Sequence, residues 1–402
     1  MLLICLLILA QANPTVVRLA VNGLPDGPLP AIEVTLPSGQ KTAVKTPGEF
    51  SASMPGSYRV SGEPFRLAGQ LIDTVYEAAP QQQVVKPGTS VTLQLSYRVR
   101  PGSGMLWAAT ARIEDEDDFT KGTLRALTEE NLLAGGFTAP ARQLIAGPRL
   151  AGGIAGPDGS FYFVDGWNVS SWMRATPAAL ATTSGKAAPV AGAPAHAYAI
   201  SPAGDIWTLH DGVVRRLAKG SMRPGAADVE LTLEELPDGH ILFNAAGDLL
   251  LYGREQVARI VGAKLNGKRT LTRADAAAFV TFSSGSLGHG AVDAAGNLWV
   301  PDENSEVIAI SAAQLTGAAA IEPRRFEVPL SASALTVDNA GGVWVLIRYT
   351  GELFHLPAGG AAFSRKGQFG HGFDEHTQLT LNPPPVWSPL AKAAAFPKRL
   401  EP

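Results

Sequence analysis

Two histidines, His240 and His289, each stand seven residues ahead of a glycine, Gly247 and Gly296, that opens a closely similar phrase. Equivalent positions in successive copies of a repeat are carried to equivalent places in a fold. Two neutral imidazoles so placed can share a metal ion, or one can serve as a general base. The plainer task for the same residues is a loop histidine capping backbone carbonyls. Asp302-Glu303-Asn304 follows a predicted strand and offers oxygens of the kind Ca²⁺ or another divalent ion takes, although Asp and Asn are also ordinary turn formers. His196, Asp165, Trp167, Arg348 and Tyr349 complete the candidate ligand-binding set, with Trp167 and Tyr349 as stacking surfaces. No catalytic constellation can be assigned. The chain has no Gly-x-Ser-x-Gly, phosphate loop or dinucleotide fingerprint, and the cluster His371, Asp374, His376 has no helix to set it on one face.

The element that must position these residues is a repeat of strand, tight turn and strand. Its core is the pattern Gly-x-apolar-aromatic, seen at Gly104, Gly159, Gly204, Gly247, Gly296 and Gly341. The third residue after each glycine is Trp107, Tyr162, Trp207, Leu250, Trp299 or Trp344, and its neighbours are mostly apolar as well. A strand apolar on both faces is covered on both, as when sheets stack face to face. The copies stand about 45 residues apart, a period that in a chain of strands means the four-stranded blades of a β-propeller. A first strand precedes every glycine except Gly104. The missing one is Leu379-Thr380-Leu381-Asn382 near the other end, which is expected to close the ring at about residues 377–384 and so remove free sheet edges. Asp293 and Asp338 occupy one place in two copies and read as acids that fix the first hairpin. The candidate residues then share one loop face: His196, His240 and His289 enter first strands, and Asp165, Trp167, Asp302, Arg348 and Tyr349 follow second strands.

The phrase from Val292 to Val300, Val-Asp-Ala-Ala-Gly-Asn-Leu-Trp-Val, resembles the NHL and SMP-30/gluconolactonase/LRE-like group of six-bladed propellers. The stretch Glu306–Gly317 is similar to secreted bacterial propellers in which a short helical insert follows the third strand. The resemblance spans roughly residues 101–390 and implies the fold more than an activity, because such propellers include hydrolases, lyases and binding scaffolds. A lactonase of this group would need Glu, Asn and Asp from different blades on one divalent ion, and the local motifs for those roles are not matched.

Residues 13–100 alternate apolar and polar in short strands punctuated by Pro-Gly and Asn-Gly, as in Val91, Leu93, Leu95 and Tyr97, and predict a small β-sandwich. The phrases Pro-Gly-x-Tyr-x-Val and Pro-Gly-Thr-x-Val-x-Leu resemble the immunoglobulin-like or prealbumin-like modules of bacterial envelope proteins. Residues 101–402 are the propeller. The apolar run from Met1 to Ala10, followed by Ala10-Gln11-Ala12, reads as a secretory signal cut after Ala12, which leaves a mature chain without its one cysteine, Cys5. A formal charge of −3 with scattered Lys and Arg excludes a phosphate track, so no nucleic-acid partner is expected, nor a transmembrane segment in the mature chain. The acidic run Glu114–Asp118 reads as a solvated loop. The expectation is an all-β, extracytoplasmic, non-catalytic binding or scaffold protein of a bacterial envelope whose loop face engages an envelope protein, a glycan or a small molecule. The alternative is a metal-dependent, lactonase-like hydrolase or a lyase working at the channel mouth.

Overall fold

The computed structural model describes residues 14–25, 29–110, 122–147, 150–156, 159–165, 171–191, 194–217, 227–373 and 377–385. They are nearly all β and divide into two compact units, one of residues 14–67 and 75–100 and one of residues 68–74 and 101–385. Among them no helix is long and apolar enough to cross a membrane.

The first unit has two sheets. One runs Ser51–Ala52, Val16–Asn22, Ser90–Val99, Thr74–Ala78, Phe65–Leu67, and the other Lys41–Val44, Ile32–Thr35, Gly56–Gly62, Gln81–Val85. Alternation decides which side chains are inside: Leu93, Leu95 and Tyr97 are buried while Thr92, Gln94 and Ser96 face water. Both sheets contribute to one apolar cluster that includes Val17, Val34, Tyr58 and Leu95. Val16–Asn22 lies parallel to Ser90–Val99 along its whole length, from Val16 beside Ser90 to Asn22 beside Ser96. Tyr97 donates its hydroxyl to the Glu63 carbonyl, and burial pushes its phenol up to about 12.

The second unit has six sheets in chain order. The first is Arg142–Gly147, Gly122–Thr128, Met105–Thr110 and, antiparallel to the last of these, Leu379–Asn382. The second begins at Leu150–Ala155, the third at Ala197–Ile200, the fourth at His240–Phe243, the fifth at Ala291–Val292 and the sixth at Ala332–Val337. Two connections reach backwards. Lys268–Leu271 leaves the fourth sheet to lie parallel to Ala227–Leu233 of the third, and Ala318–Ala320 leaves the fifth to lie parallel to Ala278–Thr281 of the fourth. The helical insert expected after Ile310 is a single 3-10 turn, Gln314–Thr316, that delivers the second of these strands.

Packing follows from the two-faced apolarity of the second strands. Trp107 packs with Phe161 and Phe163 between the first and second sheets, Trp207 with Phe243 between third and fourth, Leu250 with Val300 between fourth and fifth, and Trp344 with Leu106 between sixth and first. Tyr162 and Trp299 flank the two remaining cores, between second and third and between fifth and sixth. Every sheet therefore has an apolar core on each side, and the series returns from the sixth sheet to the first.

The hairpin acids do more than turn the chain. Asp338, fully buried, accepts the Gly342 amide at 2.8 Å and the Trp344 indole N–H at 2.8 Å, while the His355 ring stacks on that indole and brings Nε2 to 3.3 Å from the same carboxylate. Asp293 repeats the arrangement, accepting the Asn297 amide and the Trp299 indole N–H, each at 2.9 Å, in a half-buried setting. In the third sheet Ser201 holds that place, and among the described residues the Trp207 indole N–H has no acceptor. Replacing Asp338 by alanine strands an indole and an amide donor in the core, a loss of about 3 kcal/mol by urea unfolding; Asp293→Ala is expected to cost about 1 kcal/mol. Equal costs at the two sites would show that burial of the pair is not what matters.

Candidate functional site

In each repeat the start of the first strand lies beside the end of the second: Ala197 opposite Leu209, His240 opposite Tyr252, Ala332 opposite Ile347. The residues entering first strands and the turns leaving second strands therefore gather at one end of the sheets. The first strands below them line a cavity with about 130 Å³ open to water-sized molecules. All six sheets contribute to its wall, through Ile154, Ile200, Leu242, Val292, Leu335 and, from the closing strand, Leu379. The wall is apolar, with polarity at His289, Gln378, Thr336 and Thr380.

At the mouth the structure brings His240 and His289 together, their ring centroids 4.7 Å apart at 72°. His240 also stacks on Tyr252 at 5.0 Å. The hydrogen bonds around the pair assign its protons. The Gly153 amide can only donate, and it donates to Gln378 Oε1 at 3.0 Å, so Gln378 Nε2 carries the hydrogens it directs at His289 Nδ1, 2.9 Å away. His289 is consequently the neutral tautomer with its proton on Nε2 and its single lone pair engaged. His240 donates Nε2–H to the Leu287 carbonyl at 2.8 Å, which puts its lone pair on a buried Nδ1. His196 repeats the motif one sheet earlier, donating Nε2–H to the Asp238 carbonyl at 3.0 Å. Each histidine entering the third or fourth sheet thus ties itself to the loop entering the next one. His289 does the same through its backbone, whose carbonyl accepts the Leu335 amide at 3.1 Å.

Two buried phenols stand behind the imidazoles. Burial holds both Tyr198 and Tyr252 well above the usual phenol range, although the Gly290 amide, donating to Tyr252 Oη at 2.8 Å, works the other way. Tyr198 reaches its place because Gly152 has no side chain; a Cβ there would collide with the tyrosine hydroxyl.

The remaining candidates are dispersed. Asp302 is fully buried, and its carboxylate accepts the Gly285 amide at 3.0 and 3.1 Å and the Asn304 amide at 3.2 Å. Its oxygens organise the turn and are already engaged by N–H groups. Among the described residues no group of three or more His, Cys, Asp or Glu is placed to hold a metal. Tyr349 is 55% exposed at a left-handed φ of 63°, but one face of its ring carries the Arg348 guanidinium at 4.8 Å, so only the other is open for stacking. His210, 5.9 Å from His196 ring to ring, pairs with Asp211 at 3.3 Å. The side chain of Asp165, all of Trp167, the run Glu114–Asp118, Asp374 and His376 lie outside the described residues. Sequence reasoning missed Gln378. The available signal was positional: Gln378 opens the closing strand as His289 opens the first strand of the fifth sheet.

No protein-family model matches the chain, and no curated protein is similar to it in sequence. Among solved structures, a protein of unknown function from Bacteroides caccae is 12% identical, with 69% of this chain and 98% of that one covered and a TM-score of 0.45. A streptogramin B lyase is 11% identical over 67% of this chain and 89% of its own, with a TM-score of 0.41. Virginiamycin B lyase from Staphylococcus aureus, in a catalytically inactive form with quinupristin, is 11% identical over 66% and 86%, again at 0.41. Likenesses at these scores carry no argument about activity.

Two outcomes follow. Replacing Gln378 by leucine releases His289 Nδ1, and ¹⁵N spectra of the histidine ring are expected to change from one protonated and one bare nitrogen to a mixture of tautomers; an unchanged pattern would mean that another group sets the proton. Asp302→Ala should lower stability by about 2 kcal/mol, by the same amount in Ca²⁺ and in EDTA, because the lost partners are amides; a deficit seen only in Ca²⁺ would restore the metal-ligand role.

Proposed function

We propose that this chain is a secreted, non-catalytic binding protein of a bacterial envelope, built as a small immunoglobulin-like β-sandwich followed by a six-bladed β-propeller of the NHL or SMP-30-like kind. The six sheets, each with an apolar core on both sides and with Leu379–Asn382 completing the first, support the closed ring. The apolar run at residues 1–10 supports export, and with it an extracytoplasmic location.

The observation that carries the functional reading is the state of the mouth histidines. A general base needs a lone pair aimed at substrate. That of His289 accepts a hydrogen bond from Gln378, and that of His240 sits on a buried nitrogen. The imidazoles act as structural ties that hold the loop face in one arrangement, and a rigid face above an apolar channel suits recognition of an envelope protein, a glycan or a small molecule. The hydrolase or lyase alternative needs a base and an ion where the histidines are already engaged.

The test is an activity screen coupled to a binding screen. The full chain, given lactones and cyclic esters with Mg²⁺ or Ca²⁺, is expected to show no turnover. Ligands found by thermal shift should lose their effect when Arg348 and Tyr349 are both replaced by alanine on the loop face. Turnover that disappears in His289→Ala would overturn the non-catalytic reading.

A further inference from the structure

The second unit uses its arginines. Of those described, Arg215, Arg216, Arg259, Arg269, Arg325 and Arg365 pair with carboxylates. Arg125, Arg142 and Arg174 donate to carbonyl or hydroxyl oxygens, and Arg273, Arg324 and Arg348 lie over aromatic rings. Arg254 alone among the described arginines of this unit does none of these. It lines a cleft of about 410 Å³ on the loop face, outside the channel, together with Asp238, whose carboxylate likewise has no hydrogen bond or ion pair among the described residues. Opposite charges thus border one cleft without pairing with each other. The cleft lies in the range of small-molecule sites; its lining is mixed, with the largely buried Leu236, Pro237 and Leu287 beside the polar Gln256 and Ser286.

Both charges stand on pinned backbone. The Asp238 carbonyl accepts from His196, and the next residue, Gly239, lies so close to the neighbouring strand that a Cβ would sit 3.0 Å from the Tyr252 carbonyl oxygen and 3.2 Å from the Gly253 Cα. Beyond Arg254 the turn is held by Glu255, whose amide donates to Ser284 Oγ at 3.0 Å. Charged side chains rooted on a held backbone and not paired with each other are available to a ligand that brings the complementary pair.

We propose that this cleft binds a small zwitterion of the peptide class, a free amino acid or dipeptide with an apolar side chain. Its carboxylate is taken by the Arg254 fork, its ammonium by Asp238, and its side chain lies against Leu236, Pro237 and Leu287. The assignment rests on the reading of the loop face as a binding surface and gives that surface a ligand class. Among the residues lining the cleft His240 is the other ionisable group, and Glu234, Glu235 and Glu255, all exposed, adjoin the lining residues in sequence.

Calorimetric titration of the full chain with leucyl-leucine and with its N-acetylated and C-amidated forms tests this. The free dipeptide is expected to bind saturably, and each blocking group to weaken it at least tenfold. Arg254→Gln should abolish the difference between acid and amide while keeping the N-acetyl penalty, and Asp238→Asn the reverse, with melting temperatures unchanged because neither side chain has a partner to lose. Equal binding of free and blocked forms, or no binding of any, overturns the proposal. If dipeptides fail while another ligand is lost on replacing Arg348 and Tyr349, this assignment falls and the binding reading stands; turnover lost in His289→Ala removes the reading beneath it.

Discussion

A strand that is apolar on both faces cannot end a stack, and the second unit is built on that constraint. Each second strand needs a sheet on either side of it, so every sheet but the outermost pair is satisfied by its neighbours in sequence. The first and sixth can be satisfied only by each other, and the core shared by Leu106, Leu381, Ala334 and Trp344 does this. Pairing of Met105 with Asn382, Leu106 with Leu381, Trp107 with Thr380 and Ala108 with Leu379 secures the same junction by hydrogen bonds. Two kinds of interaction, apolar burial between sheets and a backbone ladder within one, thus meet at the point where the chain's two distant ends of this unit join.

The loop face inherits its rigidity from that arrangement. First strands crowd around the cavity, and their entering residues are close enough for side chains to bridge consecutive sheets. Imidazole suits the task because it carries a donor and an acceptor on opposite sides of a flat ring. His196 and His240 use the donor on the next loop's carbonyl, while His289 uses the acceptor on Gln378, which in turn holds the Gly153 amide. At His289 the hydrogen bond that helps fix the mouth also engages the lone pair a general base would need, while the lone pair of His240 stays on a buried nitrogen, and this connects the fold to the binding function proposed for it.

Much of this was legible in the residues. The Gly-x-apolar-aromatic phrases marked the second strands, and the absence of a first strand before Gly104 pointed to Leu379–Asn382. The shared spacing of His240 and His289 anticipated their meeting, because register in a repeat fixes position. What register does not fix is the partner of a side chain. Whether Asp302 faces solvent or accepts the Gly285 amide depends on the loop before the fifth sheet's first strand, whose path no local pattern encodes. The tautomer of His289 depends on Gln378, eighty-nine positions away in sequence. The backward-reaching strands Lys268–Leu271 and Ala318–Ala320 were also illegible: both are short, exposed over most of their length and without alternation, and they exist because a neighbouring sheet offers an edge.

The second unit depends on the junction between Met105–Ala108 and Leu379–Asn382, and urea unfolding of a chain ending at residue 376 probes that dependence. Without the closing strand the first sheet loses four backbone pairings and the core it shares with the sixth loses Leu379 and Leu381. The second unit is then expected to lose its single cooperative transition and to expose apolar surface to a dye such as ANS in the absence of denaturant. A truncated chain that unfolds cooperatively at the midpoint of the full one would contradict it, and would mean that the stack is stable without being closed.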